Sequence, residues 1–151
     1  MIDHEPALHE KASVFQKVVI LLSCSLFAFS LFQPAFYIAR VDYDAWADSK
    51  LLALFGWSSI LGGSAVGTFI WLANPLFLIA IIYLLKRKSV GLYLSVAASL
   101  LALSFSLLDT IVTSEAGSYS KIASLENGYY LWVSSMITLA VGTVLERQLN
   151  D

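Results

Sequence analysis

The chain has 151 residues, of which 58% are hydrophobic and 13% are charged, and its formal net charge at pH 7 is −2. This apolar excess excludes an ordinary soluble globular domain, and the near-neutral charge does not indicate a nucleic-acid partner. The single cysteine, Cys24, excludes an internal disulfide and a Cys-x-x-Cys redox pair. The composition therefore predicts an integral membrane protein.

The first apolar segment, Val18 to Ala39, contains no charged residue over 22 positions. Signal-peptide apolar regions are shorter, about 7 to 15 residues. Acidic residues also precede this segment, which a signal peptide would not have. We therefore predict a retained membrane span over 18–37, preceded by a cytoplasmic arm over 1–17.

A short helix is predicted in the external loop that follows, 38–65. Asp44 is a suitable N-cap residue, and Gly56 suits the position after the last helical turn. The resulting helix over 45–55 is too short to cross a bilayer, so we expect it to lie along the outer interface. The alternative is a re-entrant element using Ser58 to Gly67, with its backbone covered by other helices.

The second span belongs to the longest uncharged segment, Leu51 to Leu85, which has 35 residues and ends at Lys86-Arg87-Lys88. Roughly 20 apolar residues cross the hydrocarbon core, so the segment holds a span over 66–85 and a further element. Pro75 lacks a backbone N–H and should kink this span. The neighbouring Asn74 is either a clamp between helices or a ligand-binding group in a polar cavity.

The third span, 89–108, follows a cytoplasmic turn over 86–88 and carries a stripe of small and hydroxylated residues. At 3.6 residues per turn these residues share one face of the helix. Close helix packing is the usual meaning of such a stripe, and a narrow polar path is the alternative. The stripe consists of Gly91, Ser95, Ala98, Ser99, Ala102, Ser106 and Asp109.

The fourth span, 128–145, follows a second external loop over 109–127 and precedes a cytoplasmic tail over 146–151. It opens with aromatic residues, which are typical of a membrane interface. Together with two tryptophans of the first external loop, they form a predicted outer aromatic rim. The rim consists of Trp46, Trp57, Tyr129, Tyr130 and Trp132.

The orientation follows from the basic residues near the span ends, which are more numerous on the cytoplasmic side. Six of them lie on one predicted side and three on the other, so both termini are predicted to be cytoplasmic. The first set is Lys11, Lys17, Lys86, Arg87, Lys88 and Arg147, and the second is Arg40, Lys50 and Lys121.

Three short segments carry a resemblance to a family. Gly56-Trp57, the segment Trp71-Leu72-Ala73-Asn74-Pro75-Leu76, and Tyr129-Tyr130-Leu131-Trp132 resemble small, uncharacterised four-span membrane proteins of bacteria. The resemblance implies a location in the bacterial inner membrane. It implies no activity and transfers no functional residue.

The predicted fold class is thus all-α integral membrane, with four transmembrane helices and one short interfacial helix. The spans lack a carboxylate pair, a Ser–His pair, a metal-ligand set and a phosphate-binding loop, so we predict no enzyme activity, cofactor or metal. The preferred function is that of an accessory protein, which binds the bilayer and another membrane protein or itself through small-residue faces and the rim. The alternative is transport by a homo-oligomer, using Asn74, the third-span serines and Asp109.

Overall fold

The computed structural model describes residues 5–39, 45–112 and 118–148, most of them helical. Six α-helices, four strands and two short 3₁₀-helices make up the described chain. The helices are α1 (Glu5–Ser30), α2 (Ser49–Phe55), α3 (Ala65–Trp71), α4 (Ala73–Leu85), α5 (Val90–Ser104) and α6 (Asn127–Gln148). The strands are β1 (Pro34–Ala39), β2 (Ala45–Asp48), β3 (Thr110–Val112) and β4 (Tyr119–Leu125), and the 3₁₀-helices are Gly56–Ile60 and Phe105–Leu107.

Among the described residues, three helical segments are long and apolar enough to cross a membrane. They are Ala65–Leu85, Val90–Leu107 and Asn127–Gln148. The apolar part of α1, Val14–Ser30, is shorter. These segments are compatible with the predicted multi-pass membrane protein.

The long helices pack into one bundle, in which α1 lies against α6, α6 against α5, and α5 against α4. Large side chains such as Phe77, Met136 and Leu139 fill its core and are almost fully buried. Small residues bring the helices close together. A Cβ atom added to Gly91 would lie 2.7 Å from Leu84 Cγ, so α5 approaches α4 as closely as it does because this position has no side chain.

A four-stranded antiparallel sheet, ordered β2-β1-β4-β3, covers one end of this bundle. The predicted all-α class is therefore wrong on this point. The helix predicted over 18–37 ends at Ser30, because Pro34 disfavours helical backbone at the preceding residue. The remaining apolar residues, PAFYIA, continue as β1 and pair with β4, which belongs to the other predicted external loop.

The two faces of the sheet differ in what they contact. Phe36 and Ile38 are buried on the face towards the bundle, together with Ile122 and Phe105. The opposite face, which we call the distal face, carries Tyr37, Trp46, Tyr119 and Lys121. Tyr37 and Trp46 belong to the same face because they are paired across β1 and β2. Tyr119 and Lys121 belong to the distal face because side chains alternate along β4, where these two are exposed while Ser120 and Ile122 are partly buried.

The helix predicted over 45–55 is only partly present. Residues Ala45–Asp48 form β2, and α2 begins at Ser49. The N-cap is Asp48, whose Oδ1 accepts hydrogen bonds from the backbone N–H of Lys50 at 2.8 Å and of Leu51 at 3.4 Å. Asp44, the predicted N-cap, lies outside the described residues.

Gly56 directly follows Phe55, the last residue of α2, as predicted; its φ is −59° and the chain continues as a 3₁₀-helix. A Cβ at this position would lie 2.6 Å from Cδ1 of Trp71, so the glycine leaves room for the indole. Trp71 Nε1 donates a hydrogen bond to the carbonyl of Ala53 at 2.8 Å, and Thr68 Oγ1 donates to the carbonyl of Trp57 at 3.0 Å. The segment 49–60 therefore runs antiparallel along α3.

The helix predicted over 66–85 is interrupted at Leu72, between α3 and α4. Pro75 has no N–H to donate to the carbonyl of Trp71, which accounts for a break at this position. The interruption lies one helical turn before Pro75, where the sequence predicted a kink.

The end of the bundle opposite the sheet, which we call the basic end, contains the turn over 86–89. The Gln16 side chain of α1 donates to the carbonyl of Leu84 at 3.2 Å, and Arg147 of α6 donates to the carbonyl of Ser89 at 3.1 Å. The part of α1 around Gln16 and the end of α6 therefore lie beside this turn. The predicted arm over 1–17 is helical from Glu5 onwards.

Candidate functional site

A pocket lies under the sheet, where the end of α1, β1, α2, α3 and the start of α6 meet. Its volume is about 100 Å³ and it is partly open. Most of its wall is formed by apolar and aromatic side chains and by small residues. The small residues are Ser30, Ala35, Ser49, Ala53, Gly56, Ser59, Gly67 and Gly128.

Asn74 lies in the wall of this pocket and joins two helices. Its Oδ1 accepts a hydrogen bond from Nε1 of Trp132 at 2.8 Å, which ties α4 to α6. This is the clamp that the sequence offered as one role for Asn74. Within the described residues the amide nitrogen of Asn74 donates no hydrogen bond, so the polar group is satisfied at one of its two ends.

The other polar groups in the wall are satisfied by nearby backbone. Ser49 Oγ donates to the carbonyl of Gln33 at 2.6 Å, and Ser59 Oγ donates to the carbonyl of Gly56 at 2.8 Å. The hydroxyl of Ser30 is likewise bonded to the carbonyl of Phe27. The pocket therefore offers a ligand mainly apolar surface and the Asn74 amide.

An aromatic cluster lies between the bundle-facing side of the sheet and the pocket. The Phe105 ring lies 5.3 Å from the Phe36 ring and 5.5 Å from the Tyr129 ring, measured between centroids. Tyr129 Oη donates to the carbonyl of Ala102 at 3.3 Å, and the residue is only 5% exposed. Tyr129, predicted as part of an exposed rim, is thus a core residue.

The remaining rim residues are dispersed. Trp132 lines the pocket, whereas Trp46 and Trp57 belong to two different parts of the first loop and are exposed. Tyr130 is also exposed, on α6. The structure therefore brings Asn74, Tyr129 and Trp132 together and leaves Trp46, Trp57 and Tyr130 on the surface.

The serine stripe of α5 is separate from the pocket. Ser95 and Ser99 are buried, and their hydroxyls donate to the carbonyls of Leu92 at 2.8 Å and of Ser95 at 2.9 Å in the same helix. Ser106 and Asp109 are exposed beyond the buried part of the stripe. Gly91, at the start of the stripe, lies in close contact with Leu84 of α4, which is compatible with the packing interpretation.

The small residues of α6 are used in the same way. Gly142 lies against the side chain of Val19 on α1, and a Cβ added to Gly128 would lie 2.6 Å from the carbonyl oxygens of Gln33 and Pro34. These faces are covered by the chain itself.

Comparison with protein families, with characterised proteins and with solved structures finds no match for this chain. Among the described residues there is no group of three or more His, Cys, Asp or Glu side chains that could hold a metal ion. The groups that the pocket does present, apolar side chains and one carboxamide, are suited to binding an apolar ligand.

One residue important to this pocket, Trp71, was missed in the sequence, and it closes one side of the pocket against Gly56. On the distal face, Tyr37 packs against Trp46 with tilted rings whose centroids are 4.7 Å apart. The position of Trp71, one helical turn before Pro75, was a usable signal, because a proline frees the carbonyl at that position and interrupts the helix there. Tyr37 gave no such signal, since it lay within a segment predicted to be helical.

Proposed function

We propose that this protein is a four-span accessory protein of the bacterial inner membrane, with both termini in the cytoplasm, that binds another membrane protein through the distal face of its sheet. It has no catalytic role in this proposal. The observation that carries it is the exposure of Trp46 and Tyr119 on the sheet face opposite the one that packs on the bundle.

A fourth span is supported by the packing of α1. The apolar part, Val14–Ser30, has 17 residues and rises ~26 Å at 1.5 Å per residue, close to the ~30 Å of the hydrocarbon core. This helix lies against α6, which is long enough to span. Lys17 near its start can extend its ammonium group to the interface.

The orientation is supported by the basic end. Lys86, Arg87 and Lys88 are exposed there, Lys17 follows Gln16 in the part of α1 that lies beside the same turn, and Arg147 lies near the end of α6. Because basic residues are retained on the cytoplasmic side, this arrangement favours a cytoplasmic basic end and an external sheet.

The distal face has the composition of a docking surface. Trp46 is 60% exposed and Tyr119 is 63% exposed, and Lys121 lies on the same face. Tyrosine and tryptophan are enriched in protein interfaces and supply much of their binding energy. The occupant that fits this external surface is the extramembrane part of another membrane protein, with acceptor groups facing Lys121.

Transport has less support. The buried serines of α5 already donate to carbonyls of their own helix, and neighbouring helices cover them. This burial and bonding favour a packing role over a polar path or an interface between copies of the chain.

The docking proposal is tested by replacing single residues with a photo-reactive phenylalanine analogue in living cells. Positions Trp46 and Tyr119 probe the distal face. Tyr93, which is 69% exposed on α5, is the matched control in the bundle. We expect the same discrete protein adduct from Trp46 and Tyr119 and its absence from Tyr93. Lipid adducts alone at all three positions would overturn the proposal.

A further inference from the structure

We propose that the pocket under the sheet binds the carbonyl end of a fatty-acyl chain, with the amide nitrogen of Asn74 donating a hydrogen bond to the carbonyl oxygen. This site is distinct from the distal face. The pocket lies on the opposite side of the sheet, where Ala35 and Phe36 line it and face the bundle. The inference does not depend on a protein partner.

The small volume of the pocket favours a narrow chain over a ring. Its volume of about 100 Å³ is smaller than the ~150 Å³ cavity that accepts benzene in an engineered protein core. Much of its width is set by small residues, including Ala53, Gly56 and Gly67. The first carbons of an acyl chain fit such a space, and the rest of the chain leaves through the open side.

The chemistry of the wall favours one acceptor oxygen on the ligand. The serine hydroxyls and the Trp71 indole already donate to backbone carbonyls. Trp132 donates to Asn74, which leaves the Asn74 amide nitrogen as the wall donor without an acceptor in the described structure. A carbonyl oxygen satisfies this donor, and a pure hydrocarbon does not.

The depth of the pocket matches the position of acyl carbonyls in a bilayer. Trp132 lies five residues after Asn127, the first residue of α6, which is a rise of about 7.5 Å. Asn74 is at the level of Trp132 because the two side chains are bonded. This level is just below Tyr130, the exposed aromatic residue near the start of α6, and aromatic residues of this kind mark the level where lipid headgroups meet their chains.

The test uses tryptophan fluorescence in the purified full-length protein in detergent. Of the four tryptophans, Trp71 and Trp132 line the pocket, so Trp46→Phe with Trp57→Phe leaves two local reporters. Three brominated quenchers are titrated: a phospholipid brominated in its acyl chain, a fatty acid with the same chain, and the corresponding alkane. We expect saturable quenching by the phospholipid or by the fatty acid, and the stronger of the two identifies the source of the chain.

Two substitutions separate pocket filling from a general change of the protein. Ala53→Leu places a larger side chain in the pocket while keeping the backbone carbonyl that Trp71 uses, and Leu52→Phe fills the same wall independently. Ala28→Leu, at an exposed position of α1, is the matched control. We expect saturable quenching to be lost in the two pocket variants and to be retained in the control. Equal, non-saturating quenching in all of them would show contact with bulk lipid and overturn the inference.

The proposed hydrogen bond to the ligand is tested by replacing its donor, Asn74, together with Trp132, which donates to Asn74. Asn74→Leu with Trp132→Phe leaves no unpaired indole and keeps Trp71 as the reporter. We expect about tenfold weaker acyl binding and unchanged alkane binding, because one hydrogen bond is worth about a factor of ten. An equal loss for both ligands would remove the carbonyl from the proposal. Adduct formation at Trp46 should persist in Ala53→Leu, so failure of the pocket and failure of docking are distinguishable.

Discussion

The indole of Trp132 donates to the carboxamide oxygen of Asn74 at 2.8 Å, joining residues 58 positions apart in the chain. The bond fixes α6 against α4 next to the break at Leu72. It also holds the carboxamide in the wall of the pocket, so one side chain contributes to both packing and the candidate binding site.

A double-mutant cycle measures this contact. Asn74→Leu and Trp132→Phe should each destabilise the protein by about 1–3 kcal/mol, because each leaves a partly buried polar group unpaired. The double variant should lose less than the sum, with a coupling of about 0.5–1.5 kcal/mol, as for hydrogen bonds between membrane helices. Reversible unfolding in mixed detergent gives the four free energies. Strict additivity would mean that the bond contributes nothing to stability.

The contact of Gly142 with Val19 should set the distance between α1 and α6. Gly142→Ala should cost about 1–3 kcal/mol, because the stiff Val19 side chain occupies the space that the new methyl group needs. Val19→Ala should therefore cost less in the Gly142→Ala protein than in the wild type. Thermal unfolding of the four proteins measures the difference, and Ser134→Ala at an exposed position of α6 is the control. Equal costs of Val19→Ala in both backgrounds would contradict the predicted steric conflict.

Substitution of the α5 serines distinguishes packing from a polar path. Ser99→Ala should change stability by no more than about 0.5 kcal/mol, because its hydroxyl bonds only to its own helix. Ser95→Leu should lower the free energy of unfolding by about 1–3 kcal/mol, since Ser95 is fully buried between helices. Unfolding experiments give both values. Solute flux in liposomes that is lost in a stable Ser99→Ala protein would instead support the transport alternative.

The N-cap of α2 gives a local prediction. Asp48→Ala should cost about 0.5–2 kcal/mol, because the N–H groups of Lys50 and Leu51 lose their acceptor, whereas Asp48→Asn should retain most of the stability. Hydrogen exchange at Lys50 and Leu51 should accelerate in the alanine variant. Unchanged exchange there would show that Asp48 does not cap this helix.

The three long apolar helices were largely predictable because they depend on local properties of the sequence. Long uncharged segments, the basic triplet at Lys86 and the proline at Pro75 each act on their own neighbourhood. The close packing expected for Ser95 and Ser99 followed from helical spacing alone. The clamp by Asn74 was also expected, although the sequence could not identify Trp132 as its partner.

The sheet was missed because its pairing is non-local. Tyr37 of β1 pairs with Ser124 of β4, and nothing near Tyr37 in the chain indicates this partner. The apolar residues of β1 also continue an apolar helix without interruption, so hydropathy alone does not separate them. The alternation over Tyr119–Leu125 was a usable strand signal. Once β1 is recognised as a strand, the distal face follows from side-chain alternation.

Native mass spectrometry of the complex, extracted gently from its own membrane, tests the docking of a membrane protein at the distal face most directly. Wild-type protein should carry a stoichiometric protein partner, which Trp46→Ser with Tyr119→Ser removes and Tyr93→Ser, in the bundle, retains. A partner that stays bound to the distal-face variant, or wild-type protein that carries only lipid, would contradict the proposed function.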